Sequence, residues 1–263
     1  MRTYWEISKL AFQRQLTYRA ATLAGLATNF FFGMLRASVL IALYQGQPVV
    51  AGMSIMDAIT FTGLTQATIA FLSLFSWYEV MDSVYSGAIS SDLLKPVNYF
   101  SFWLAIDSGR AFASFLLRGL TIMLAYAVLF DITVPSSLNQ WLLLTVVLLL
   151  SWLISFSWRF LVNLAALWTP NALGIARLAF ILSWFLSGFF MPLRFFPDWF
   201  VKFCYLTPFP YTINAVVEVY LGLLDGQAIA GIMLAQITWI LLLSFAGMIT
   251  LRVGVRRLEI LGG

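Results

Sequence analysis

The sequence predicts an all-α integral membrane protein. It reads as six transmembrane helices with an N-terminal interfacial helix, a short cytoplasmic helix between spans two and three, and an external re-entrant helical hairpin. Three observations predict this. First, 62% of the 263 residues are hydrophobic and 10% charged, with a mean hydropathy of +0.92. A soluble domain carries about 25% charged residues, and a water-soluble fold of this size cannot hide so much apolar surface. Second, six apolar runs are long enough to cross about 30 Å of hydrocarbon as helices, at roughly 20–44, 55–78, 111–130, 141–167, 173–190 and 229–251. They are continuous and longer than the alternating segments of about 10 residues that build a barrel, and backbone groups in lipid need partners within the segment. Third, the basic residues are asymmetric. With the N-terminus in the cytoplasm, Arg2, Lys9, Arg14, Arg19, Lys95, Arg110, Arg177, Arg252, Arg256 and Arg257 fall at cytoplasmic ends, against Arg194 and Lys202 outside. That bias puts both termini in the cytoplasm.

Taken in order, residues 1–263 read as one membrane domain: an interfacial helix at 1–19, a six-span bundle at 20–251 and a cytoplasmic tail at 252–263. The first segment has no Gly or Pro between Tyr4 and Tyr18, and its Arg and Lys suit the inner membrane surface. It lacks the short apolar core and small-residue site of a cleavable signal. The external loops 45–54 and 131–140 are short, whereas the cytoplasmic stretch 79–110 is longer. Residues 191–227 are too apolar for a free loop, and Pro192, Pro197, Pro208 and Pro210 rule out one spanning helix. Short helices in the outer leaflet fit, with the Trp and Tyr of an interfacial belt.

Composition also limits the chemistry. There is no histidine, so the commonest metal ligand and general base are missing. The single cysteine, Cys204, allows no disulfide within the chain. The net charge of +4 comes from scattered basic residues, not from a stripe that would bind nucleic acid. No carboxylates pair for acid–base work, and no Gly-x-x-x-x-Gly-Lys-Ser/Thr phosphate loop is present, so the chain reads as no enzyme and binds no metal or cofactor of its own.

Charges inside the spans are the next signal, because each costs at least about 2.5–3.5 kcal/mol at the bilayer centre. Arg36 and Arg159 read as snorkelling to headgroups. Asp107 and Arg110, three apart, read as a local surface ion pair. Arg118, in span three, reads as snorkelling, or as an ion pair or a polar lining of a translocation path, and Glu218, in "NAVVEVYLG", as an interfacial group or a gate of that path.

One polar island, "SGAISSDLLKPVNYF" at 86–100, interrupts the apolar chain. Ser86, Ser90, Ser91 and Asp92 can cap a short helix, and Lys95-Pro96 would end it. Read from its residues alone, it is a solvated connector or a helix that plugs a cleft in another protein. "GAISSDLLKPVNY" resembles the segment between spans two and three of type-two ATP-binding-cassette (ABC) transporter permeases. It is closest to the subfamily reading roughly Gly-x-Ile-x-x-x-Leu-Leu-Lys-Pro-x-x-Tyr, which Gly87, Ile89, Leu93, Leu94, Lys95, Pro96 and Tyr99 match. "LSGFFMPLRFFPDWF" and "LTPFPY" are similar to the end of span five and the outer hairpin, with Ser187, Gly188, Pro192, Pro197, Trp199, Pro208 and Tyr211 in place.

The resemblance implies a function. The island, with Ser86, Gly87, Ile89, Asp92, Leu93, Leu94, Lys95 and Pro96, would be a coupling helix docking on a separate ABC ATPase subunit, present in two copies and holding ATP and Mg. A second permease chain, the same or homologous, would complete an exporter in a bacterial or archaeal plasma (inner) membrane. Spans two and five would face each other across that dimer and line a mostly apolar path with Thr60, Thr65, Thr68, Phe180, Trp184, Ser187 and Gly188. The cargo would then be amphipathic or hydrophobic. An ATP-independent secondary transporter or channel is the alternative; such proteins place several ionisable residues at mid-membrane and carry paired repeats, which this sequence does not show.

Overall fold

The computed structural model describes residues 2–74 and 77–257. The described chain is predominantly helical. In order it contains α1 (Arg2–Thr17), α2 (Arg19–Leu43), a two-stranded hairpin of β1 (Val49–Val50) and β2 (Met53–Ser54), α3 (Ile55–Leu72), α4 (Glu79–Tyr85) and α5 (Ile89–Leu93). There follow α6 (Tyr99–Ser114), α7 (Leu120–Leu129), α8 (Leu138–Asn163), α9 (Ala172–Leu186), α10 (Asp198–Tyr205), α11 (Asn214–Tyr220) and α12 (Gly226–Val255).

The starts of the long helices are written in their caps. Ser54 accepts from the Asp57 amide while Asp57 accepts from the Ser54 amide, a reciprocal capping box that begins α3. Asn98, Ser137 and Asp225 each accept from an amide three residues on, at the heads of α6, α8 and α12.

Among the described residues, five helical stretches are long and apolar enough to cross a membrane: Arg19–Leu43, Ile55–Leu72, Tyr99–Leu129, Leu138–Leu167 and Gly226–Val255. The six-run reading needs revision in three places. Span two ends at Leu72, where Ser73 takes a left-handed conformation, not at Tyr78; residues 75 and 76 of that run lie outside the described residues. Span three begins at Tyr99, so 99–110 is helix and not connection. It continues through a π-turn at Phe115–Gly119 into α7, and its 31 residues rise about 46 Å. The fifth run yields only the 15-residue α9. It stops before Gly188, whose φ of +76° a side chain would resist.

The helix α3 is the axis of the bundle: almost every residue from Ala58 to Leu72 is buried. It is enclosed by α2, by α6 and α7 with the π-turn between them, and by α8 and α11. Its hydroxyl side chains bond back to its own carbonyls, Thr60 to Met56 at 2.8 Å and Thr68 to Leu64 at 2.7 Å, which lets polar residues sit in an apolar core. By contrast α2, α9 and α12 leave wide apolar faces exposed, as at Phe31, Leu178, Phe185, Leu241 and Phe245. Such faces are expected where lipid, not water, is the neighbour.

The helix α1 lies against α6. Tyr4 reaches the Asn98 amide at 3.3 Å, and Ser8 and Ser108 share a hydroxyl bond of 2.8 Å. Gly109 makes the approach possible: a Cβ there would fall 1.9 Å from the Ser8 carbonyl oxygen. The tail reading of 252–263 is only partly in view. Helix α12 runs on to Val255, and 258–263 lie outside the described residues.

Candidate functional site

Three polar constellations stand out in this apolar protein, one at each end and one between α6 and α8. The first is the island. Its helix is five residues long and starts after Ala88 with no side-chain cap, so the serine and aspartate capping expected from sequence does not occur. Asp92 instead accepts from Ser83 at 3.0 Å and pairs with Lys95 at 2.6 Å. Gly87 supplies a φ of +74° for the turn between α4 and α5. Ser86 bonds back to the Asp82 carbonyl at 2.7 Å.

The island is fastened on several sides. Ile89 is buried in a cluster with Trp77, Tyr99, Trp103 and Phe160, and Leu93 packs beside it. The Lys95 ammonium sits 4.3 Å from the centre of the Phe102 ring. Tyr85 donates to the Thr169 carbonyl at 3.2 Å and accepts from the Ala172 amide at 3.0 Å, joining α4 to the head of α9. Asn163 of α8 donates to the Trp77 carbonyl at 2.8 Å and accepts from the Met81 amide at 3.1 Å. Leu94 is different: at 86% exposure it is among the most exposed large apolar side chains. A compact, pinned element thus ends in a free apolar knob.

The second constellation lies directly behind the first. Asp107 is fully buried and takes both guanidinium nitrogens of Arg159, at 3.0 and 2.9 Å. It also accepts from the Trp152 indole at 2.8 Å and from Arg110. Arg159 is 1% exposed, bonds Ser155 at 3.3 Å and lies over the Trp77 ring. Two sequence expectations are corrected here. Asp107 and Arg110 are no surface pair, because the helix begins at Tyr99 and carries Asp107 inside. Nor does Arg159 snorkel, because its charge is met by the facing helix. Ser155 also donates to the Leu72 carbonyl at 3.0 Å, so α3, α6, α8 and the island's base are tied at one point.

The third constellation holds the hairpin at 191–227. Arg194 donates to Glu218 at 3.2 Å and to the Ala51 carbonyl of the β-hairpin at 3.2 Å. Tyr205 donates to Glu218 at 3.4 Å and accepts from Asn214 at 3.0 Å. Burial, and then the Glu218 carboxylate, push the Tyr205 phenol upward from its ordinary value, so it stays a donor. Asn214 donates its amide to the Ser187 carbonyl at 3.1 Å, where Gly188 leaves room. Glu218 is therefore an ion-paired anchor between α11 and the 3₁₀ turn Leu193–Phe195.

The remaining candidates divide. Thr60, Thr65, Thr68, Phe180 and Ser187 are buried within the single chain, as is Gly188, and Trp184 is half-buried with its indole donating to the Leu74 carbonyl at 3.0 Å. The reason is the central place of α3 and the inward face of α9. A route between two chains would need α3 uncovered before these threonines could line it. Arg36 does not snorkel either: it donates to Thr65 at 3.1 Å and to the Phe189 carbonyl, and lies over the Phe61 and Phe189 rings. Together with Gln66 and Trp184 it walls a cleft of about 340 Å³. Arg118 sits on the π-turn, bonds Ser114 at 3.4 Å and lies across Gly25 of α2. Sequence reasoning missed the Asp107–Arg159 pair because its members are 52 positions apart. The usable signal was the spacing of Trp103, Asp107, Arg110, Ser114 and Arg118, which puts them along one helical face.

An apolar helical bundle with five helices, among the described residues, long enough to cross a membrane defines an integral membrane protein. The chain belongs to the ABC-2 family of transporter proteins, whose family model matches residues 30–262. No curated protein and no solved structure matches it significantly.

Proposed function

We propose that the chain is the membrane-spanning permease subunit of an ATP-driven exporter, moving an amphipathic or hydrophobic substrate across a bacterial or archaeal plasma membrane. In this reading both termini are cytoplasmic and α9 is a short sixth crossing. Helix α1 rides at the inner interface against α6, and residues 191–227 re-enter the outer leaflet. The chain pairs with a second permease, identical or homologous, and two copies of a separate ABC ATPase supply hydrolysis, with ATP and Mg held there.

The observation that carries the reading is the pinned island with its exposed tip. A force delivered to Leu94 meets no slack. It passes through Asp92–Ser83 to α4, through Tyr85 to α9, through Asn163 to α8, and through Arg159–Asp107 to α6. Rigid linkage of this kind can turn a nucleotide-driven closure into relative movement of spans. Such movement would uncover α3 and its threonines from α2, opening a path toward the cleft walled by Arg36, Gln66 and Trp184.

The test is reconstitution in proteoliposomes with a fluorescent amphiphile as cargo. We expect the chain alone to transport nothing above empty vesicles, and transport to need both the ATPase and hydrolysable ATP. Full transport by the chain alone would favour a secondary transporter instead.

A further inference from the structure

A second polar cleft, of about 250 Å³, opens between α1, α2, the end of α3 and the α6 π-turn. Its polar lining is Gln15, Asn29, Ser73, Arg110, Ser114 and Arg118, and no carboxylate is among its walls. Both arginines bring unspent donors. Among the described residues Arg118 makes one hydrogen bond, to Ser114, and its Nε is buried without a partner. Arg110 gives one nitrogen to Asp107, and its Nε is likewise buried without a partner among the described residues.

The nearby acids do not balance this. Asp107 is already shared between Arg110 and Arg159 and also takes the Trp152 indole. Glu79 lines a neighbouring cavity, where it faces Arg14 and Arg110. Four guanidiniums, of Arg14, Arg110, Arg118 and Arg159, thus stand against two carboxylates. A buried or half-buried guanidinium without an anion is costly, and its planar fork suits a bidentate oxyanion.

We propose that this cleft is a binding site for an oxyanion, a phosphate or carboxylate group, held by Arg118 and Arg110 with Asn29, Ser114 and Gln15 as neutral partners. Two sources carry that chemistry: the headgroup of an anionic lipid, and a soluble phosphate. The site requires no ATPase, so its failure and that of the coupling reading are separable.

The experiment uses the full chain in phosphatidylcholine nanodiscs. Phosphatidylglycerol or inorganic phosphate is added, and binding is read by native mass spectrometry and by the thermal midpoint. For the wild type we expect phosphatidylglycerol retention and a raised midpoint, with Arg118→Gln about tenfold weaker, the worth of one charge-assisted bond, and Arg118→Lys in between. A response to phosphatidylglycerol alone identifies a lipid headgroup, whereas one to inorganic phosphate as well identifies a soluble oxyanion; either supports the site. If Arg118→Gln does not fold, Asn29→Ala and the wild-type titration carry the test, with Asn29→Ala expected to bind about threefold more weakly. No response of the wild type to either anion, or undiminished binding in Arg118→Gln or, in its place, Asn29→Ala, overturns the proposal.

Discussion

Replacing Asp107 with Asn is expected to cost about 3–5 kcal/mol of stability, the range for removing one partner of a buried ion pair. The wild-type carboxylate meets donors from Arg159, Arg110 and Trp152 inside the bundle. An amide oxygen can take some of those hydrogen bonds but none of the charge. Arg159 would then remain buried with no anion against it, and the part-buried Arg110 would lose its nearest one. The loss should appear as a lowered unfolding midpoint in mild detergent and as poor yield of inserted protein. The double variant Asp107→Leu with Arg159→Met removes the pair with apolar residues of similar size, and such replacements are often neutral or stabilising. It should therefore recover much of the loss, leaving Arg110 alone to turn toward the cleft it already lines. A single Asp107→Asn change with no measurable cost would mean that the network is not a structural pin.

Leu94→Asp is expected to have the opposite profile. Leu94 is 86% exposed, so the change should leave insertion and stability within about 0.5 kcal/mol of wild type. If the tip seats in a pocket of the ATPase, a charge there desolvates without a partner, and an anchor of this kind is worth 2 kcal/mol or more. Substrate-stimulated ATP hydrolysis by the assembled complex should fall by at least about tenfold. Asp92→Ala probes the same element from inside. It removes the Ser83 and Lys95 contacts and should weaken coupling less, because Ile89 still holds the segment in the Trp77–Phe160 cluster.

Much of this architecture was legible from residues alone. Apolar length places α2, α8 and α12 to within a few residues. The start of α6 was not legible, because "YFSFWLAIDSGR" contains polar residues that hydropathy reads as connection. Its true context is set by partners distant in sequence: α1 packs on Ser108 and Gly109, and α8 supplies Arg159. The same reason explains the arginines. A lone charge in an apolar run looks like a candidate for snorkelling until the facing helix is known. The threonines of α3 were singled out because the family resemblance puts span two on the path, but only the three-dimensional wrapping of α3 puts them in the interior. The short α9 follows from Gly188 and the anchoring of its end by Asn214, which no run of hydrophobicity encodes.

The decisive measurement is cysteine labelling at position 94 in intact cells and inverted vesicles. Cys204 is buried, and a Cys204→Ser background leaves the new thiol as the sole target. A membrane-impermeant maleimide should modify Leu94→Cys in inverted vesicles but not in intact cells, and the ATPase subunit, once bound, should protect it. Labelling from the outer face, or equal labelling with and without the ATPase, would contradict a permease driven through this tip.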